Sequence, residues 1–86
     1  MTYEVTWSKR ARRALELDLP EAAAAACLEF VLGPLAANPH RVGKLLRGEL
    51  HDRYSARRGE FRVVYRVYED LIIVNVVDIR HRRDIY

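Results

Sequence analysis

The stretch Arg53–Arg66, RYSARRGEFRVVYR, holds five arginines and one acid, Glu60, around a single glycine. Its second half alternates: Phe61, Val63, Tyr65 and Val67 fall at period two, with Arg62, Val64 and Arg66 between them. A β-strand sends successive side chains to opposite faces. The apolar set therefore faces a core, and Arg62 and Arg66 share the other face. A planar guanidinium with a fixed fork of donors suits phosphate better than solubility alone requires. The chain ends in a second cationic cluster, RHRRDIY, over Arg80–Tyr86. Two arginine clusters and a terminal aromatic point to a polyanion, nucleic acid first among them.

Three strand candidates occupy the second half of the chain: about Glu49 to Ser55, Phe61 to Tyr68 and Leu71 to Ile79. Arg57-Arg58-Gly59 supplies the first turn and Glu69-Asp70 a tight second one. Such a two-residue turn pairs Val67 with Ile72, Tyr65 with Val74 and Val63 with Val76 on one face. On the other it sets Arg66 against Ile73 and Arg62 against Val77. Near the start, YEVTW (residues 3–7) alternates and reads as a strand burying Tyr3, Val5 and Trp7. Ser8 is the expected N-cap of a helix from about Lys9 to Leu17.

Asp18, with Glu21 three residues on, resembles a capping box, and Pro20 suits an early helical position. That helix is expected to run to about Leu32, where Gly33-Pro34 breaks or kinks it. Ala24, Cys27, Leu28, Val31 and Leu35 form its core face, and the run Ala22–Ala26 allows close approach to a sheet. Asn38 to Gly43 reads as loop. The order β-α-α-β-β-β implies an α+β fold, a single domain over 1–86. Two N-terminal helices pack on one face of an antiparallel sheet, and the arginines occupy the open face.

Composition sharpens this. Half of the 86 residues are hydrophobic, enough for a core in a small domain. Residues 1–40 carry four bases and five acids, whereas residues 41–86 carry eleven bases and seven acids. The positive charge thus belongs to the half that holds the strands, as a binding face requires. The lone cysteine, Cys27, excludes an intramolecular disulfide and reads as a buried thiol. His40, His51 and His81 are too scattered for a zinc pattern, so no metal or other cofactor is expected. No stretch approaches the ~20 apolar residues of a membrane span, and no secretory leader is visible. A cytoplasmic domain is the expectation.

GKLLRGEL (Gly43–Leu50), YSARRGEFRVVYRV (Tyr54–Val67) and DIRHRRDIY (Asp78–Tyr86) together resemble the RelE/ParE toxins of bacterial type II toxin–antitoxin modules, the RelE branch most closely. The resemblance extends over essentially the whole chain. It implies a ribosome-dependent endoribonuclease that cuts mRNA in the A site and is silenced by a cognate antitoxin. Position by position, it gives Arg62 a contact to the scissile phosphate. Arg82, with His81 before it, falls where the family places a general acid. Tyr86 matches a tyrosine that orients a base of the cut codon. Arg53 and Ser55 stand where the family carries lysines, the second of them a general base. Serine cannot supply that charge, so Arg53, Arg57, His81 or Tyr86 would have to compensate.

The chemistry needs a 2′-hydroxyl deprotonated, the pentavalent phosphate's charge offset and the 5′-oxygen protonated. Arginine suits the second task and is a poor base. His81 has the intrinsic pKa, about 6.5, to move a proton near neutrality. The resemblance, with this chemistry beside it, implies a catalytic set of Arg62, His81, Arg82 and Tyr86, and Arg53, Arg57, Arg58 and Arg66 are expected to bind RNA. Two other readings stay open. One is a ParE-like gyrase inhibitor without nuclease chemistry, and the other is a binding module whose catalysis has decayed.

Overall fold

A computed structural model describes residues 2–48 and 52–84. Its centre is a five-stranded sheet of β1 (Glu4–Trp7), β2 (Lys44–Leu45), β3 (Tyr54–Arg58), β4 (Phe61–Tyr68) and β5 (Ile73–His81), in the order β1-β5-β4-β3-β2. Three helices, α1 (Lys9–Arg13), α2 (Glu21–Phe30) and α3 (Pro39–Val42), accompany it. The α+β class and the uncovered arginine face match expectation, but the sheet is mixed. β1 runs parallel to β5, while the other neighbours are antiparallel. The helices between β1 and β2 return the chain over one face, which lets the first strand join the last.

Ser8 caps α1 as expected: its Oγ accepts the Ala11 amide at 3.0 Å and donates to the Val77 carbonyl at 2.5 Å, which ties the helix start to β5. Over Ala14–Asp18 the helix widens, and the Leu19 amide reaches back five residues to Ala14. Asp18 ends this segment and caps nothing. Pro20 takes the N-cap of α2, so the expected capping box is absent. Gly33-Pro34 does not stop that helix. Its turns widen over Val31–Leu35, and an i→i+5 pattern accommodates a residue with no amide proton. Cys27, Val31 and Leu35 are buried, one helical turn apart, while Leu28 lies at the stripe's margin and is exposed. The segment Asn38–Gly43 is not all loop, because Pro39 opens the single turn of α3.

The core lies between sheet and helices: Ala11, Ala14, Cys27, Val31 and Leu35 meet Ala56, Val63, Tyr65, Val74, Val76 and Ile79. β3 begins later than expected and includes Arg57 and Arg58; the expected strand positions Glu49 to His51 lie outside the described residues. The β3–β4 turn is Gly59-Glu60, with Arg58 paired to Phe61 and Gly59 at φ +61°. A positive φ at the first central residue is the demand of a type II′ hairpin, which glycine meets without strain. The β4–β5 connection is four residues long instead of two, because Tyr68 pairs with Ile73. Apolar Leu71 and Ile72 belong to the turn, a role their hydrophobicity conceals. Next to the turn the register therefore moves two places from expectation, to Val67–Val74 and Tyr65–Val76, and the side chains there keep their faces; farther on, Val63 pairs with Ile79 and not with Val76.

Candidate nucleic-acid interface

A bulge decides which residues of β5 reach the open face. Val64 pairs with Asp78 and Tyr65 with Val76, so Val77 is an extra residue on β5. Val74 and Val76 point to the core before it, and Ile79 does so after it. The inserted residue inverts the alternation, so Arg80 joins the open face and His81 leaves it.

One rung of the sheet consequently carries three arginines. Arg57 pairs with Arg62, and Arg62 with Arg80, across β3, β4 and β5. Like charges directly opposite in a ladder destabilise it, so this rung is held against electrostatic cost. Arg80 is pinned by Asp78, whose Oδ2 accepts its Nε–H at 2.5 Å while Oδ1 takes the Ile79 amide at 2.9 Å. Arg62 has no such partner: its Nε is buried and meets no acceptor among the described residues. A buried donor without an acceptor is costly, and an incoming anion removes that cost.

The next rung sets Lys44 opposite Ser55, Ser55 opposite Val64 and Val64 opposite Asp78. Residues directly opposite on antiparallel strands share a face. Lys44 therefore stands beside the serine that lacks the expected charge. Farther along the same face lies Arg66, which pairs with Asn75. Arg53 and Arg66 approach Asp52, at 3.9 and 3.3 Å from Nε to carboxylate. Tyr68 and Asp52 together hold the Arg66 guanidinium above its ordinary range.

Two of the expected site residues are elsewhere. Arg58 pairs with Phe61 on the helix side, near Cys27, whose thiol is pushed up by burial. His81 also pairs with Phe61, edge-on at 5.2 Å between ring centroids, and its Nε2 lies 3.3 Å from Glu60. It lines a groove of about 400 Å³ beside α1, with Arg10, Asp18, Leu19 and Asp78 among the walls. Arg82 is exposed in a single helical turn directly after β5, its amide donating to the Glu60 carbonyl at 2.7 Å. Tyr86 and His51 lie outside the described residues.

The open face thus carries Arg57, Arg62, Arg66 and Arg53 together with Arg80, Lys44 and Asp78. Arg80 needed the bulge to be seen. Lys44 needed β2, a strand of two residues with no legible alternation. No trio of His, Cys, Asp or Glu among the described residues is placed to hold a metal ion, and no described helix is long and apolar enough to cross a membrane.

A profile described as the ParE toxin of the type II toxin–antitoxin system parDE matches residues 5–86. The chain is 48% identical over 84 residues to Toxin RelE of Mycobacterium tuberculosis, covering 98% of this chain and 86% of that protein. It is 44% identical over 86 residues to Toxin RelG of the same organism, covering 100% and 98%. Among solved structures it resembles a chain of the RelBE2 toxin–antitoxin complex of M. tuberculosis, with a TM-score of 0.91 at 42% identity over 98% of this chain and 95% of that one. Alike in sequence and in fold over nearly its whole length, the chain belongs to the RelE/ParE family of type II toxin–antitoxin toxins.

Proposed function

We propose that this toxin is a ribosome-dependent endoribonuclease that cuts mRNA in the A site, inhibits translation and is held in check by a cognate antitoxin. One observation carries the reading: the Arg57–Arg62–Arg80 rung, with the Arg62 Nε buried and lacking an acceptor. The relatives named Toxin RelE and Toxin RelG support it.

In this reading the rung offsets the charge that builds on the pentavalent phosphate, and Arg62 makes the central contact. Preorganised donors of this kind are the largest single contribution in many such sites. Lys44 returns to the neighbouring rung the cation that Ser55 withholds. In the same reading Arg82, one residue past β5, takes the general-acid position at the leaving 5′-oxygen, and Tyr86 orients a base of the codon. His81 has a different duty, closing the end of the core against Phe61. The protein acts in the cytoplasm, where ribosomes and mRNA are.

The antitoxin's place is the helical layer. Leu28 and Leu32 of the second helical segment are 41% and 54% exposed one turn apart, and Leu17 is 72% exposed. Exposed apolar residues on a small domain mark interfaces, and the RelBE2 relative is a toxin–antitoxin complex. Leu28→Asp with Leu32→Asp should abolish binding of the neighbouring gene's product; undiminished binding would place the antitoxin elsewhere.

The decisive experiment maps mRNA ends on programmed ribosomes exposed to the purified toxin. Cleavage should appear at the A-site codon and fall ~10²-fold or more in Arg62→Ala, the scale of a lost charge-stabilising donor. Arg62→Lys should also be impaired, because an ammonium cannot reproduce a two-pronged contact. A ParE-like reading is kept in view by the matching profile's own description. Uncut mRNA together with loss of gyrase supercoiling would install it instead.

A further inference from the structure

Arg62 and Arg66 lie four residues apart on one strand face, a span of roughly 13 Å at the usual rise per residue. With both side chains standing off the strand, that span exceeds a single phosphate. Around Arg66 the structure repeats, in a second place, the feature that marks Arg62. The Nε atoms of Arg53 and Arg66 are both buried, and neither has a hydrogen-bond acceptor among the described residues. Their side chains are only 27% and 36% exposed, so bulk water does not readily supply one.

Asp52 stands between them. Its Oδ2 is 3.3 Å from Arg66 Nε and its Oδ1 is 3.9 Å from Arg53 Nε, near enough to attract and not aligned to accept. The carboxylate is itself 51% exposed. It therefore neutralises charge without satisfying the donors, and it can swing into solvent.

We propose that Arg53 and Arg66 form a second phosphate subsite on the open face, occupied in the free protein by the Asp52 carboxylate and in the complex by another phosphodiester of the same RNA strand. This rests on the RNA reading above and adds the strand's path, from the Arg57–Arg62–Arg80 rung towards Arg66. Asp52 is then an internal competitor of the substrate. Because the carboxylate already offsets one of the two positive charges, the pair gains less from neutralising a phosphate than its full charge would give.

Removing the competitor and removing the site should have opposite effects. The test is equilibrium binding of the full chain to single-stranded oligoribonucleotides of two to eight nucleotides, 2′-O-methylated so that they cannot be cut, over a series of salt concentrations. Asp52→Asn should bind the longer oligonucleotides severalfold tighter and with a steeper salt dependence. The expected steepening is up to ~0.7 in the log–log slope, the contribution of one phosphate on a single strand. Arg53→Gln and Arg66→Gln should make the slope shallower by a similar amount. Dinucleotides, too short to reach from Arg62, should not register either change. Thermal melts of each variant confirm that the fold is retained. Binding by Asp52→Asn that is weaker than, or equal to, the parent's would overturn the subsite and leave Asp52 as a structural counter-ion. If Arg62→Ala lowers the slope while the Arg53 and Arg66 variants do not, the subsite fails and the RNA reading stands. If Arg62→Ala also leaves it unchanged, the RNA reading fails with it.

Discussion

Arg62 and Arg80 face each other across β4 and β5 at a single rung, on the side of the sheet the helices leave uncovered. The pairing exists because an extra residue in β5 inverts the side-chain alternation just before it. With Arg57 on the far side of Arg62, the chain holds three guanidiniums in a line where ladder chemistry favours opposite charges.

That line should be bound at the expense of stability. Arg57→Ala is expected to raise the unfolding free energy by ~0.2–1 kcal/mol, the scale of a like-charge cross-strand pair, and to weaken RNA association in the same protein. Urea melts and salt-dependent binding on one preparation check both signs. A stability loss would mean that the rung is not under repulsion.

The position of His81 makes a kinetic claim. Paired with Phe61 and beside Glu60, it lies on the sheet face opposite to that of Arg62, although the groove it lines also reaches Arg80. His81→Ala should cut mRNA within ~10-fold of the parent, and its rate should keep the parent's pH dependence between about pH 5.5 and 8. A general acid–base group would instead cost ~10²-fold or more and take a limb of the profile with it.

A close approach near the interface can be tested by a cycle. A Cβ built on Gly43 would collide with the Tyr65 hydroxyl oxygen and lie 3.1 Å from the Ser55 carbonyl oxygen. The hydroxyl is held there by donating to the Pro39 carbonyl, and burial pushes its pKa up. Gly43→Ala should cost ~1–3 kcal/mol as overpacking, and Tyr65→Phe ~0.5–1.5 kcal/mol for the hydrogen bond. Together they should cost less than the sum by at least ~0.5 kcal/mol, since removing the hydroxyl makes room for the methyl. Additive denaturation energies would show that the loop yields instead.

Away from the arginines, Glu69 joins the β4–β5 turn to two other segments. It accepts from the Tyr3 hydroxyl at 3.0 Å and pairs with His40, which also meets the Tyr54 hydroxyl at 2.8 Å. The bond to His40, and then that to Tyr3, lowers the carboxyl below its ordinary 4.5. A carboxyl depressed in the fold stabilises it above the unfolded value, and that contribution fades as pH falls through the folded value. Tm should therefore decline less steeply between about pH 5 and 3 in Glu69→Gln than in the parent. Parallel curves would mean that the contact is not maintained in solution.

The alternation of Phe61–Val67 was enough to place β4, its core face and the arginines opposite, because period two is a local property. Ser8 was legible for the same reason, since a cap is written within three residues of its helix. What escaped was set by pairing. The Val77 bulge has no sequence mark: the expected hairpin sets Arg62 against Val77 and strict alternation keeps His81 on the open face, whereas the structure sets Arg62 against Arg80 and turns His81 to the other side. Asp18 looked like a cap because its spacing to Glu21 is right, but the widened helical turns before it leave it at a helix end. Leu71 and Ile72 looked like strand because they are apolar, although they form the turn.

The parallel pairing of β1 with β5 bears on how the toxin is made. Glu4 is matched with Ile73, and β5 lies between β1 and the rest of the sheet. Until the ribosome delivers β5, the first strand has no neighbour and the Arg57–Arg62 pair lacks Arg80. Contacts between distant parts of a chain are the slow ones to form, so the pairing of β1 with β5 is among the slower steps of folding. A message ending before β5 therefore yields a fragment in which β1 has no neighbour in the sheet and the Arg57–Arg62 pair lacks Arg80.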